Sequence, residues 1–261
     1  MHVRLERETD FVPKEKPTMK RCMFCVTILL ILAVAYIPNC TAVGHRAVKR
    51  PADNSVSLEL RFMKKRANPL QRFFSVLDGP NGFATGFLVG DQLVMTAYHA
   101  VSGNLSASKK VQLGFAPNDE LEVEVYVQGC QASVIKFDED ADLALLQICQ
   151  RQKNAQAPAF QSSLSKDEKL FVIARPHGNK LMRKGVFFGP VELRGQQYNL
   201  ATIEARDGYS GSPVYNQREE IVGVFSGYDP RQKLAVISPG LRAQKLLDDY
   251  VAGPKPNVEK P

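Results

Sequence analysis

The chain has 261 residues, 44% of them hydrophobic, which is enough for one sizeable core or two small fused ones and too much for a disordered chain. Its formal charge of +7 is unevenly placed: residues 1–72 carry 14 Lys and Arg against 6 Asp and Glu, whereas residues 73–261 carry 20 against 21. The basicity thus belongs to the N-terminal part; no basic run with interleaved aromatics appears in the body, and this argues against a nucleic-acid partner.

From Cys22 to His45 no formally charged residue occurs, and the apolar part of this stretch, 22–38, is too hydrophobic all round for a surface helix. It is short for a membrane span, which needs about 20 residues, and close in length to a signal-peptide core. Lys20 and Arg21 precede it, so Met19-Lys20-Arg21 reads as the start of an export signal, with Cys40-Thr41-Ala42 as a weak cleavage site. The competing reading is an uncleaved anchor with its basic side inside. Either way residues 1–42 form a leader, and the body is expected in the periplasm or outside the cell, tethered to the membrane if the leader stays. Residues 43–72, with Lys49-Arg50-Pro51 and Lys64-Lys65-Arg66, read as a basic linker whose alternating run from Val56 to Phe62 allows one short strand.

From residue 73 onward short apolar segments follow one another with turn signals among them: 73–77, 83–89, 93–97, 111–115, 121–127, 132–137, 143–148, 170–174, 185–193, 197–204, 212–215, 221–226 and 233–238. One clear helix, 240–251, closes the series. This pattern predicts an all-β barrel or sandwich, and about 180 residues suit two small barrels packed together. The body is placed at 73–252 and a tail at 253–261.

Three stretches carry chemistry. In Arg206-Asp207-Gly208-Tyr209-Ser210-Gly211-Ser212-Pro213-Val214-Tyr215-Asn216, the glycines let the backbone turn tightly. The Ser210 hydroxyl is then presented outward, and the N–H groups of Gly208 and Ser210 converge on one point, as an oxyanion hole requires. In Met95-Thr96-Ala97-Tyr98-His99, a histidine stands at the end of an apolar strand, where its ring can reach a cleft edge. In Phe137-Asp138-Glu139-Asp140-Ala141-Asp142-Leu143, four acids crowd one turn, and only Asp142 directly precedes an apolar strand that can draw its carboxylate inward. A buried carboxylate needs a partner, and an imidazolium is a good one. The run lacks a loop-forming glycine and regular ligand spacing, so a calcium loop is disfavoured.

Thr96-Ala97-x-His99-Ala100-Val101, Asp142-Leu143-Ala144-Leu145-Leu146 and Gly208-x-Ser210-Gly211-Ser212-Pro213, in that order, resemble the chymotrypsin-fold (trypsin-like) serine endopeptidases over roughly 73–250. The Gly208 to Asn216 run is similar to glutamyl endopeptidases, and Leu170 to Gly178 is similar to HtrA-like proteases. The resemblance implies two six-stranded antiparallel β-barrels with a C-terminal helix. It also implies Ser210 as nucleophile, His99 as general base, Asp142 as its orienting carboxylate, and Gly208 and Ser210 as oxyanion donors. Protein or peptide substrates are implied, with no metal and no organic cofactor. Other classes stay open: a peptide-binding protein on the same barrels, against which an intact His99, Asp142 and Ser210 speak, and a viral processing protease.

Departures from the family refine these expectations. Tyr209 occupies the place of the aspartate that pairs with a newly cut N-terminus, so activation by N-terminal insertion is not expected. The run Val222 to Tyr228 resembles the substrate-binding strand, making Phe225, Ser226, Gly227 and Tyr228 pocket residues; Phe225 replaces the specificity histidine of glutamyl endopeptidases. Ser226 is expected to hydrogen-bond Asp142. Glu204, six residues before Ser210, falls on the usual pocket floor and there would favour Lys or Arg substrates; the alternative is an outward strand position. No PDZ-like module is expected after Tyr250. Cys130 and Cys149 lie at nearly mirrored positions about the acidic turn, which suits a disulfide in an oxidising compartment, the alternative being two free buried thiols.

Overall fold

The computed structural model describes residues 53–152, 158–161, 163–193 and 195–253. The apolar run 22–38 and residues 254–261 lie outside these, and among the described residues no helix is long and apolar enough to cross a membrane. The first closed antiparallel barrel is built from β1 (Ser55–Lys64), β2 (Gly82–Gly90), β3 (Leu93–Thr96), β4 (Leu121–Val127), β5 (Cys130–Asp138) and β6 (Leu143–Gln147). It closes in the order β1-β2-β3-β6-β5-β4. The second contains β7 (Lys169–Ala174), β8 (Leu181–Leu193), β9 (Gln196–Ala201), β10 (Pro213–Tyr215), β11 (Ile221–Asp229) and β12 (Leu234–Pro239), closing in the order β10-β11-β12-β9-β8-β7.

The apolar runs follow from burial on both faces. Along β6, Ala144 and Leu146 point into the first barrel, while Leu143 and Leu145 pack in the layer between the barrels. Along β7, Leu170, Val172 and Ala174 fill the second barrel, while Ile173 joins the same middle layer. A strand whose alternate side chains meet two apolar surfaces loses the usual polar alternation. Each such fully buried leucine contributes about 2 kcal/mol of transfer free energy. The helix after β12, α4 (Gly240–Val251), seals this layer with Ala243, Leu246 and Leu247.

Three expectations fail, each for a local reason. The short strand allowed at Val56 to Phe62 is present, but as the barrel strand β1 and not as part of a linker: β1 pairs with both β2 and β4, with Leu60 opposite Gly82 on one side and Val125 on the other. Its Val56, Leu58, Leu60 and Phe62 point inward, and the basic residues face out, Arg61 to Glu124 at 3.2 Å and Lys64 to Asp119 at 2.9 Å. The barrel unit therefore begins before residue 73.

Residues 73–77 are helical, within α1 (Pro69–Leu77). Asn68 and Gln71 cap that helix reciprocally, Gln71 N–H donating to Asn68 Oδ1 at 2.8 Å and Asn68 N–H to Gln71 Oε1 at 3.1 Å, with Pro69 in the first turn. Residues 111–115 lie at the end of a helix, not in a strand. The short α2 (Tyr98–Val101) precedes α3 (Ala107–Gln112), where Ser106 Oγ accepts the Lys109 N–H at 3.3 Å. Gly114, at φ +82°, lets its own N–H reach Val111 O and the Phe115 N–H reach Lys110 O, the paired bonds that stop a helix.

Candidate active site

The histidine is placed by the end of β3. Thr96 and Ala97 are fully buried, and the chain then enters α2, whose Ala100 and Val101 pack into the first barrel. His99 on the other side of this turn faces a cleft between the two barrels.

Asp142 is placed by the β5–β6 turn. Asp138 organises that turn, accepting the Ala141 N–H at 3.0 Å and pairing with Arg242 of α4 at 2.6 Å. Asp142 itself sits at φ +55°, a left-handed conformation that Asp adopts more readily than most residues. Its backbone carbonyl accepts the Tyr98 N–H at 3.1 Å, so the two loops are joined next to the His99 and Asp142 side chains.

Ser210 is the second residue of the second of two consecutive tight turns. Tyr209 N–H donates to Arg206 O at 3.2 Å and Ser212 N–H to Tyr209 O at 3.0 Å. The third residue of each turn is a glycine with positive φ, Gly208 at +90° and Gly211 at +81°, as type II turns demand. Neither place has room for a side chain. A Cβ on Gly208 would meet Pro176 at 2.7 Å, and one on Gly211 would collide with Thr96 Oγ1 and Thr85 O. Tyr209, between them, is buried in the second barrel with its ring edge-on to Phe225 at 6.1 Å.

These three segments converge. His99 Nδ1 is 2.8 Å from Asp142 Oδ2, and His99 Nε2 is 2.8 Å from Ser210 Oγ. The backbone N–H of His99 also donates to Asp142 Oδ1 at 2.8 Å, so both carboxylate oxygens are engaged by one residue. Among the described residues no acceptor takes the backbone N–H of Gly208 or Ser210. Nearby, Tyr198 donates its hydroxyl to Asp140 O at 2.7 Å, and burial together with the charge of Asp142 holds its phenol above the ordinary value.

The cleft has a volume of about 760 Å³ and is lined by His99, Ser210, Gly208, Phe225, Gly227 and Tyr228, together with Leu60, Phe62 and Leu105 from the first barrel. Lys109 of α3 reaches across to Asp207 at 2.8 Å. Two expectations are corrected here. Glu204 is exposed and does not line the cleft: strand-like alternation buries Ala201 and Ile203 and turns Thr202 and Glu204 outward. Ser226 does not bind Asp142, because it is the extra residue of a β-bulge between Phe225 and Gly227; its buried Oγ has no partner among the described residues. Cys130 and Cys149 are joined by a disulfide, with Cα atoms 6.2 Å apart.

Some participants were missed at the sequence level. His177 lines the cleft with its ring centroid 3.9 Å from that of Phe83. Thr85 bonds the Ser210 turn from behind, and Arg175 bonds Thr85 in turn, through contacts that no local pattern announces. Among the described residues no group of three His, Cys, Asp or Glu side chains is arranged to hold a metal.

Comparison with known proteins agrees with this architecture. A family model described as a trypsin-like peptidase domain matches residues 84–224. A glutamyl endopeptidase of Staphylococcus epidermidis is 26% identical over 177 residues, covering 61% of this chain and 60% of the relative's length. A second glutamyl endopeptidase of that species is 26% identical over 169 residues, covering 58% and 57%. Among solved structures, the active form of the Rv3671c protease from M. tuberculosis superposes with a TM-score of 0.54 at 16% identity, covering 77% of this chain and 82% of that one. The inactive form gives 0.51 at 17% identity, covering 74% and 88%. Matched by its model over more than half of its length, the chain belongs to the family of trypsin-like peptidase domains.

Proposed function

We propose that this protein is a serine endopeptidase in which Ser210, His99 and Asp142 form the catalytic triad. The observation that carries the reading is the His99 ring held between Asp142 Oδ2 and Ser210 Oγ, at 2.8 Å on each side, by residues 43 and 111 positions away in the chain. A serine hydroxyl is a poor nucleophile near neutral pH, so a base in hydrogen-bond reach must take its proton as it attacks. With the ring proton on Nδ1, donated to Asp142, the Nε2 lone pair faces the Ser210 hydroxyl. As Oγ bonds to the substrate carbonyl carbon, its proton passes to Nε2, and Asp142 stabilises the imidazolium.

The carbonyl oxygen, now negative, lies against the N–H groups of Gly208 and Ser210, each such donor being worth about 3 to 4 kcal/mol in comparable sites. Collapse breaks the C–N bond, and the Nε2 proton goes to the leaving amine. Water then repeats the sequence on the acyl-enzyme and releases the acid and the free Ser210.

Protein or peptide substrates follow from this chemistry, and nothing in the body's charge supports a nucleic-acid partner. The apolar run 22–38 acts as an export signal or anchor, placing the barrels beyond the cytoplasm. The Cys130–Cys149 disulfide supports such an oxidising setting. Tyr209, packed in the second barrel, supports a peptidase that needs no inserted N-terminus.

The test is a peptide-library digestion by the full chain beside its Ser210→Ala variant. Internal cleavage by the wild type alone is expected, and equal cleavage by both would refute the assignment.

A further inference from the structure

The geometry points to Thr85 of β2 as the positioning residue of the oxyanion turn, an inference that rests on the peptidase reading above. Turn bonds hold the N–H and carbonyl of Tyr209, and Gly211 N–H donates to Phe225 O at 2.8 Å. Glycines at 208 and 211 nevertheless offer little steric resistance to rotation, so the carbonyls of Gly208 and Ser210 need restraints of their own from outside the turn. Thr85 supplies two such restraints from the opposite barrel. Its backbone N–H donates to Ser210 O at 2.9 Å, and its hydroxyl donates to Gly208 O at 2.8 Å. The two clamped units, 208–209 and 210–211, flank the unit carrying the Ser210 N–H, and the first adjoins the unit carrying the Gly208 N–H. Fixing both carbonyls away from the cleft thereby fixes the direction of both oxyanion donors.

The hydroxyl is itself aimed. It accepts the Arg175 N–H at 2.8 Å, which leaves its own hydrogen directed at Gly208 O, and Thr85 O accepts the Thr96 hydroxyl at 2.8 Å. Thr85 is fully buried, so no water competes for these bonds. Arg175 is anchored in turn, its guanidinium reaching Asp53 at 2.6 Å and Ser55 Oγ at 3.0 Å. The next residue, Pro176, closes the remaining space beside Gly208. A continuous path of hydrogen bonds thus runs from the start of β1, through Arg175 and Thr85, to the oxyanion turn. Thr85 touches no reacting atom.

Thr85→Val, nearly equal in volume but without the hydroxyl, and Thr85→Ser, which keeps it, separate positioning from packing. Both are made in the full chain, and rates are expressed per site titrated by a fluorophosphonate. Thr85→Val is expected to lower kcat by about 10- to 100-fold, less than the about 10²- to 10³-fold of deleting a donor outright, with KM unchanged. Its affinity for a peptide aldehyde, whose bound adduct carries an oxyanion, should fall in parallel, and Thr85→Ser should stay within about threefold of wild type. Thr85→Ala, which adds no apolar volume, repeats the measurement if the valine variant does not melt cooperatively. An unimpaired kcat in Thr85→Val, or an equal loss in Thr85→Ser, overturns the inference while a reactive wild type leaves the peptidase reading standing. A wild-type chain that takes up no fluorophosphonate overturns that reading instead.

Discussion

Replacing Asp142 by Asn probes the proposed chemistry with almost no change in shape. The carboxylate accepts two hydrogen bonds from His99, the backbone N–H at Oδ1 and ring Nδ1 at Oδ2, both at 2.8 Å. An asparagine has one carbonyl oxygen, and if that oxygen keeps the backbone N–H, its NH₂ group faces Nδ1. The ring must then carry its proton on Nε2, the atom that faces Ser210 Oγ at 2.8 Å. The nitrogen that should take the serine proton is already occupied. In triads of this kind the same exchange lowers kcat by about 10⁴, which at 1.36 kcal/mol per tenfold amounts to about 5 kcal/mol of lost transition-state stabilisation. Folding should barely change, because the side-chain volume is kept and the bond to the His99 N–H persists. The assay is kcat and KM on a cleaved peptide together with a thermal melt. A folded Asp142→Asn variant with kcat within tenfold of wild type would refute the argument that Asp142 sets the tautomer of His99.

Gly211→Ala places a Cβ against Thr96 Oγ1 and Thr85 O at a φ of +81°, so melting should show a loss of at least about 2 kcal/mol and activity should disappear. Reducing the Cys130–Cys149 bridge, with a sequence separation of 19, should lower unfolding free energy by about 3 kcal/mol, read by urea titration with and without reductant; the Cys130→Ser variant should then be insensitive to reductant. At Asp53, burial pushes the carboxyl up, but hydrogen bonds from Lys180 and Ser55 and the charges of Arg175 and Lys180 outweigh it, leaving its pKa below the ordinary value. A lowered folded pKa means stability that is fully present above the unfolded value of about 4 and is lost as pH falls through the folded one. Asp53→Asn should therefore be less stable than wild type at neutral pH by a constant margin that closes in acid, and a margin unchanged down to pH 2 would contradict this.

The legible parts of the fold were those where local pattern and tertiary environment agree. Leu143 to Leu146 reads as a buried strand because both its faces meet apolar surfaces, and Asp142 stands out because it borders that run. The convergence of His99, Asp142 and Ser210 was inferred from motif order, and the distances are compatible with it. The alternation of β1 is legible from Val56 to Phe62, but its place in the barrel is not, because its outward face holds Arg61 and Lys64, whose partners Glu124 and Asp119 lie some sixty residues away, so paired charge looks like linker charge. The helices at 69–77 and 107–112 carried capping signals, Asn68 with Gln71 and Ser106 with Gly114, that the apolar runs masked. Glu204 and Ser226 failed on strand geometry: one step of alternation sends Glu204 outward, and a bulge takes Ser226 out of register. Thr85 left no trace in its own segment, since its role depends on the opposite barrel.

The most direct measurement is the mass and position of the adduct formed when the full chain is treated with a fluorophosphonate and mapped by peptide mass spectrometry. A single adduct on Ser210, absent in the His99→Ala variant, is the predicted result. An adduct on another residue, or equal labelling of Ser210 without His99, would contradict the assignment of these side chains as one catalytic unit.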